Sequence, residues 1–224
     1  MSAPIRLLIK GASGRMGQAL VRLANDNPLL QVAACTGRSD IAALSQVAEF
    51  DVAIDFSTPE GFDAVLALCV SRKKALVSGT TGLSSQQFES LKTAGVLIPV
   101  LWASNFSLGV AVLSQLVAQA GQWLKHWNLD IIESHHIHKK DAPSGTALSL
   151  GQVAQNASGV SPSYHSLRCG DVIGEHTVQF SGTGERLELS HRATNRDIFA
   201  QGALFATEKI SSKMNGFYQF ADLL

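Results

Sequence analysis

The stretch "LLIKGASGRMGQAL" (Leu7–Leu20) decides how the chain reads. An apolar run ends at Lys10, and Gly11, Gly14 and Gly17 then lead into a segment with helical spacing of apolar residues. A strand that passes through glycines into a helix leaves bare amides at the helix mouth, where the dipole favours an anion. The first glycine permits a tight turn, the second lets a pyrophosphate come close, and the third lets helix and strand pack tightly. The spacing is G-x-x-G-x-x-G rather than G-x-G-x-x-G. On its own it therefore fits either a dinucleotide turn or an ordinary glycine-rich connection. The candidate contacts are Gly11, Ser13, Gly14, Arg15, Met16 and Gly17.

The flanking sequence supports the first reading. Ile5–Ile9, Gln31–Cys35, Asp51–Phe56, Lys74–Ser78 and Ile98–Ala103 are short apolar runs that read as buried strands. Between them Met16–Ala24, Glu60–Arg72 and Ser84–Ala94 have helical periodicity, with Thr58 and Ser84 placed as caps. Strands interleaved with helices predict a parallel sheet covered on both faces, an α/β Rossmann-like domain. Beyond it, Ser107–Trp127 reads as one long helix, followed by a strand around "LDIIESHH" and a helix over Thr146–Gln155. "GEHTVQFSG" and "GERLELSHR" alternate apolar and polar residues around Gly182-Thr183-Gly184, a hairpin signal that implies a mixed or antiparallel sheet. Phe199–Ile210 is helical again, with Gly202 as a weak point. The expected division is residues 1–106 with 197–224 as the dinucleotide-binding domain, and residues 107–196 as an α+β second domain.

Composition narrows the function class. The 224 residues carry 18 basic and 18 acidic side chains, so no net field points to nucleic acid or a membrane surface. Three cysteines without paired spacing argue against a disulfide framework. No run approaches the roughly 20 apolar residues of a membrane span, and the N-terminal apolar run is too short for a secretion signal. The expectation is a soluble, cytoplasmic protein.

An acid at the end of the second strand would hold the ribose of NAD, but that strand ends "ACTGRSD", with Gly37 in place and Arg38 next. A guanidinium without the acid favours a 2′-phosphate, so NADPH is expected over NADH, which stays possible; Asp40 is a displaced alternative acid. "DFSTPEG" (Asp55–Gly61), "SGTTG" (Ser78–Gly82) and "ASNFSLG" fall at further strand ends, where ligands bind in such sheets.

"ESHHIHKKDAPSGTA" (Glu133–Ala147) gathers three histidines, two lysines and an aspartate before a small-residue turn. His136, His138 and Asp141 could face a metal, but Lys139 and Lys140 would repel one, so no metal is expected. A solvated basic loop is the plain alternative. Against it, Pro143 leads into Ser144-Gly145-Thr146, a helix mouth suited to a carboxylate, and histidine suits general acid work near neutrality.

These segments together resemble the 4-hydroxy-tetrahydrodipicolinate reductase (dihydrodipicolinate reductase) family of the diaminopimelate route to lysine. "GASGRMG", "IDFSTPEG", "SGTTG", "ASNFSLGV", "ESHHIHKKDAPSGTA", "CGDVIGEHTVQF" and "GERLELSHRA" occur in the family's order across nearly the whole chain. The resemblance implies hydride transfer from a nicotinamide cofactor to a cyclic imine dicarboxylate. It makes His135 the general acid and Lys139 its partner. His136, Ser144, Gly145 and Thr146 would grip the carboxylates, joined by Thr81 of the other domain. Phe56, Gly79, Thr81, Ala103, Asn105 and Phe106 would line the nicotinamide side. It further implies a homotetramer built on the second domain's sheet. The chain departs from the family in a short Arg38–Asp51 stretch, in Gly37 and Thr58, and in an abbreviated segment after Gln155 that would remove a strand.

Two competing readings stay in view. A semialdehyde dehydrogenase would need a nucleophilic cysteine, and none of Cys35, Cys69 and Cys169 has an evident base beside it. A nucleotide sensor would need no acid, which the His135 and Lys139 pair argues against.

Overall fold

A computed structural model describes residues 3–224 and resolves the chain into two compact units, Met1–Phe106 with Phe199–Leu224, and Ser107–Ile198. The first unit alternates β1 (Ile5–Lys10), α1 (Arg15–Asn25), β2 (Leu30–Thr36), β3 (Val52–Asp55), α2 (Pro59–Arg72), β4 (Ala75–Ser78), α3 (Ser85–Gly95) and β5 (Pro99–Trp102). Thr58 and Ser84 cap α2 and α3 by accepting from Gly61 and Gln87 amides, as their positions before the apolar periodicity predict. All neighbours in the sheet pair in parallel, in the order β10-β5-β4-β3-β1-β2, where β10 is Gly216–Tyr218 near the C-terminus. The order reverses between β1 and β3, so the loops leaving these strands part there and open the crevice used for ligands in doubly wound sheets.

Packing explains the glycines of that crevice. A side chain at Gly11 would run into the Phe56 carbonyl of the β3 exit, and one at Gly17 into the Gly11 and Ala12 backbone. Helices α2 and α3 bury Phe62, Val65, Leu66, Cys69, Leu91 and Ala94 against Leu8, Ala53, Leu76 and Val100 of the sheet. Helix α6 (Asp197–Ile210) carries the tail back to this unit, tied to the end of α1 by the Asn27 amide donating to Glu208 at 2.7 Å. Gly202, a weak point by helix propensity, is demanded by tertiary packing, because a Cβ there would collide with the Phe106 carbonyl.

The second unit is a four-stranded mixed sheet, β7-β6-β8-β9, with two helices on one face. It comprises α4 (Leu108–Trp123), β6 (Asn128–His135), α5 (Gly145–Ser158), β7 (Ser163–Arg168), β8 (Gly174–Gly182) and β9 (Glu185–Ala193). The hairpin expected around Gly182-Thr183-Gly184 forms with Gly182 paired to Glu185, and Gly184 takes a positive φ of 85°. Two expectations need correction. Helix α4 stops at Trp123 rather than Trp127: His126 adopts φ 77°, and Trp127 turns onto the hairpin, its indole 2.6 Å from a Cβ position at Gly182. The shortened segment after Gln155 still builds a strand, β7, parallel to β6; its polar edge position gave no hydrophobic alternation to read.

Replacing Gly202 by Ala tests the packing against the propensity. Helix propensity alone would raise stability by about 1 kcal/mol. The collision with Phe106 makes the expected result a loss of about 1–3 kcal/mol, read from the urea unfolding midpoint.

Candidate active site

In the first unit, the predicted nucleotide residues fall at the carboxyl ends of five strands. Gly11–Gly17 follow β1, Arg38 follows β2, Phe56 follows β3, Gly79 and Thr81 follow β4, and Ala103, Asn105 and Phe106 follow β5. Gly14 forms the N-cap of α1, and a Cβ there would lie 3.0 Å from the Arg38 guanidinium, so the arginine stands directly over the glycine loop. Ser13 and Arg15 are exposed beside it, Met16 is half-buried. This bare cradle, with a cation above an amide-lined helix start, fits a phosphorylated dinucleotide. The Asp40 carboxylate accepts from the Ala43 amide at 3.0 Å, in the first turn of a short 3-10 helix (Ala42–Gln46).

The exits of β3 and β4 are locked by Asp55. Its fully buried carboxylate accepts from Ser57 at 2.5 Å, Ser78 at 2.9 Å and Thr80 at 2.7 Å. Burial pushes this carboxyl upward, and the three hydroxyls pull it back. The lock sets Phe56 against Gly79, where any side chain would strike the ring. Phe106 backs this arrangement, its ring between Phe56 and Phe220 with centroids 5.4 Å from each. Only 2% exposed, the Phe106 ring is a support rather than an open contact face, and Phe56 is the half-exposed member of the pair.

In the second unit, β6 alternates buried and half-buried residues, so Glu133 and His135 point to the same face and sit 1% and 8% exposed. Register brings Arg168 of β7 opposite His135, and His176 of β8 opposite Glu133. Arg168 donates to both Glu133 oxygens at 2.9 Å, the His135 Nδ1 lies 2.5 Å from Oε2, and the Ser144 amide donates to Oε1 at 3.3 Å. Burial alone would raise the Glu133 carboxyl, but hydrogen bonds from Arg168, His135 and Ser166 outweigh it and hold it at about 2. An ionised carboxylate only accepts, so the His135 Nδ1 must carry the hydrogen. Nε2 is left as the nitrogen that can pass a proton, and Gly174 keeps its edge clear, since a Cβ there would stand 3.1 Å away.

Around this pair the remaining cluster divides. Lys139 is paired with Asp141 at 2.9 Å and His136 lies half-buried. Burial and the neighbouring Arg196, His138, His135 and Lys139 push His136 below its usual range, the signature of a cationic corner. Arg196 is a member of this corner that sequence reading did not single out. Lys140 is exposed. Ser144 is 2% exposed; its hydroxyl accepts from the Ala147 amide as the cap of α5 and contacts His176 Nε2 at 3.0 Å. Its hydroxyl is thus spent on the cap and on His176. Gly145, exposed at the first helical position, presents an amide that the helix itself cannot pair. Among the described residues no group of three or more His, Cys, Asp or Glu is placed to hold a metal ion. Nor, among them, is any helix long and apolar enough to cross a membrane.

Glu133, Arg168 and His176 escaped the sequence reading, although one signal was present. Glu133 and His135 share a strand face by period two. The partners on β7 and β8 needed the register.

His176 yields a pH prediction. Burial, then the cationic forms of the neighbouring His135 and His191 and the Lys139 ammonium, lower it to about 4 against the pull of Glu133. A folded value below the ordinary 6.5 means its stabilising contribution is full above about 6.5 and is lost as pH falls toward 4. Between pH 7 and pH 5 the wild-type chain should lose up to about 2 kcal/mol more than a His176→Asn chain. Equal losses in urea titrations at the two pH values would contradict this.

Comparison with known proteins agrees with the geometry. Family models described as the N-terminus and C-terminus of dihydrodipicolinate reductase match residues 5–106 and 109–224. A 4-hydroxy-tetrahydrodipicolinate reductase of Stenotrophomonas maltophilia is 59% identical, covering 99% of this chain and 98% of its own. One from Xylella fastidiosa is 54% identical over the full length of both. Among solved structures, a dipicolinate-bound dihydrodipicolinate reductase from a Paenisporosarcina species superposes with a TM-score of 0.82 at 23% identity, covering 99% of this chain and all of its own, which shows the fold. A Mycobacterium smegmatis amine dehydrogenase shares the fold more distantly, with a TM-score of 0.63 at 10% identity over 97% of this chain and 95% of its own. The chain therefore belongs to the dihydrodipicolinate reductase family and is an NAD(P)H-dependent oxidoreductase.

Proposed function

We propose that the chain reduces 4-hydroxy-tetrahydrodipicolinate, a cyclic imine dicarboxylate, to tetrahydrodipicolinate in the diaminopimelate route to lysine, the 4-hydroxyl leaving as water to give the conjugated imine that takes the hydride, with NADPH preferred and NADH accepted. The observation that carries the chemistry is the Glu133–His135 contact, which leaves a buried histidine with one nitrogen fixed and the other available. When bound, the dihydronicotinamide supplies a hydride. The negative charge that then builds at the ring nitrogen of the substrate needs a proton, and His135 in its imidazolium form, with Nδ1–H held by Glu133, donates it from Nε2 and is left as the neutral Nδ1–H tautomer. Charge on the imidazole during this exchange is stabilised by the Glu133 carboxylate beneath it, itself anchored by Arg168.

Lys139 exchanges its Asp141 contact for a substrate carboxylate and supports the transfer. His136, in its cationic corner, holds the substrate together with Gly145 and Thr146 at the helix mouth, while Ser144 shapes that mouth from below. In the first unit Gly11, Ser13, Gly14, Arg15, Met16 and Gly17 hold the pyrophosphate and Arg38 the 2′-phosphate. Phe56, Gly79, Thr81, Ala103, Asn105 and the Phe106 backbone define the nicotinamide side. The helix-free face of the β7-β6-β8-β9 sheet serves as the assembly face of a cytoplasmic homotetramer.

A thiol mechanism is disfavoured. Cys69 is fully buried and its thiol is pushed far upward by burial, while Cys35 is also raised.

The test generates the unstable substrate in situ and follows nicotinamide absorbance with each cofactor. Turnover is expected with both and faster with NADPH at low concentration. A folded, cofactor-binding protein that turns over with neither would end the proposal. His135→Gln and Lys139→Ala should each lower turnover by about two orders of magnitude; near-normal rates in both would refute the assigned roles.

A further inference from the structure

Lys10 is the last residue of β1 and is 0% exposed, an unusual place for an ammonium group. Removing such a charge from water costs several kcal/mol unless it is fully engaged. Lys10 meets this by donating to the Gly37 carbonyl at 2.8 Å and the Asp40 carbonyl at 2.9 Å, and it feels the negative Asp55 nearby. These two carbonyls bracket the dipeptide Arg38-Ser39. The Arg38 backbone also runs close against α2, for its carbonyl lies 2.7 Å from a Cβ position at Gly61, while its guanidinium stands 3.0 Å from one at Gly14. Arg38 is itself exposed, and a free loop of this kind would let its side chain wander.

We propose that Lys10 is a positioning residue for cofactor discrimination: by clasping the carbonyls on both sides of Arg38-Ser39, it fixes the loop that presents the Arg38 guanidinium over Gly14, where a 2′-phosphate would bind. The proposal rests on the assignment of Arg38 to that phosphate. Lys10 is buried beneath the loop and acts through Arg38 rather than by touching the cofactor. Its engagement with main-chain carbonyls, not with side chains, means that the clasp works whatever residue occupies position 39.

Calorimetry with cofactor fragments tests this without turnover. The probes are adenosine 2′,5′-bisphosphate, which carries the 2′-phosphate, and 5′-AMP, which lacks it. Arg38→Ala should weaken the bisphosphate by about tenfold or more and leave 5′-AMP within about twofold. Lys10→Met should reproduce that selectivity, and Lys10→Gln, able to reach one carbonyl, should fall between Met and wild type. In the Arg38→Ala background, Lys10→Met should have no further effect on the bisphosphate, because the residue through which it acts is gone. If Arg38→Ala weakens both probes equally, the phosphate assignment fails and the Lys10 proposal falls with it. If Arg38→Ala is selective but Lys10→Met is not, or its effect persists undiminished in the double variant, the assignment stands and the proposal is overturned. Should both Lys10 variants fail to fold, Lys10 is a residue of the general core and the proposal is likewise overturned.

Discussion

The second unit is organised around one buried carboxylate. Glu133 receives two hydrogen bonds from Arg168 on the edge strand, one from the His135 ring and one from the amide that begins α5. It thereby joins β6, β7 and the helix mouth through a single group. An unpaired carboxylate at this depth would be strongly destabilising, so each partner is required by the others. The bidentate arginine keeps Glu133 ionised, the ionised carboxylate fixes the His135 tautomer, and the tautomer decides which nitrogen can exchange a proton. Arg168 also donates to the Asp141 carbonyl at 2.6 Å, which ties the same network to the turn carrying Lys139. Fold and chemistry share one set of hydrogen bonds.

The first unit uses the same device at its own strand ends. Lys10 closes β1 and Asp55 closes β3, both fully buried and both engaged by groups from the neighbouring loops. Lys10 holds the β2 exit and Asp55 the β3 and β4 exits, so the loops around the crevice are anchored by charge rather than by apolar contact. Loops that must present bare backbone and small residues to a ligand have few side chains to bury, and buried charged groups supply the rigidity that packing cannot. The glycines complete the design: at Gly11, Gly17 and Gly79 the neighbouring backbone or ring already fills the space a Cβ would need.

Much of this was legible in the sequence, for identifiable reasons. The doubly wound unit announced itself because apolar runs, helical periodicity and caps at Thr58 and Ser84 all agree locally. The hairpin did so because its turn chemistry is specific. What stayed hidden was set by contacts between distant residues. Lys10 looked like the polar end of a strand, since nothing local tells that two carbonyls some thirty residues on will enclose it. Ser144 read as part of a helix mouth, and nothing local told that His176 and the Ala147 amide would engage its hydroxyl. Strand β7 carries no hydrophobic alternation and exists because the β6 edge offers it partners. Arg168, the residue that keeps Glu133 ionised, therefore sat on an element the sequence did not reveal.

The most direct measurement is the nitrogen-15 chemical shift of the two His135 ring nitrogens in histidine-labelled protein, assigned by comparison with His135→Gln and followed across a pH titration. With Glu133 ionised beneath it, neutral His135 should show a protonated Nδ1 and an unprotonated Nε2, and Nε2 should be the nitrogen that gains the proton on acidification. The same sample carrying Glu133→Gln should lose that fixed preference. A wild-type His135 found protonated at Nε2 with a bare Nδ1 would contradict the account at its centre.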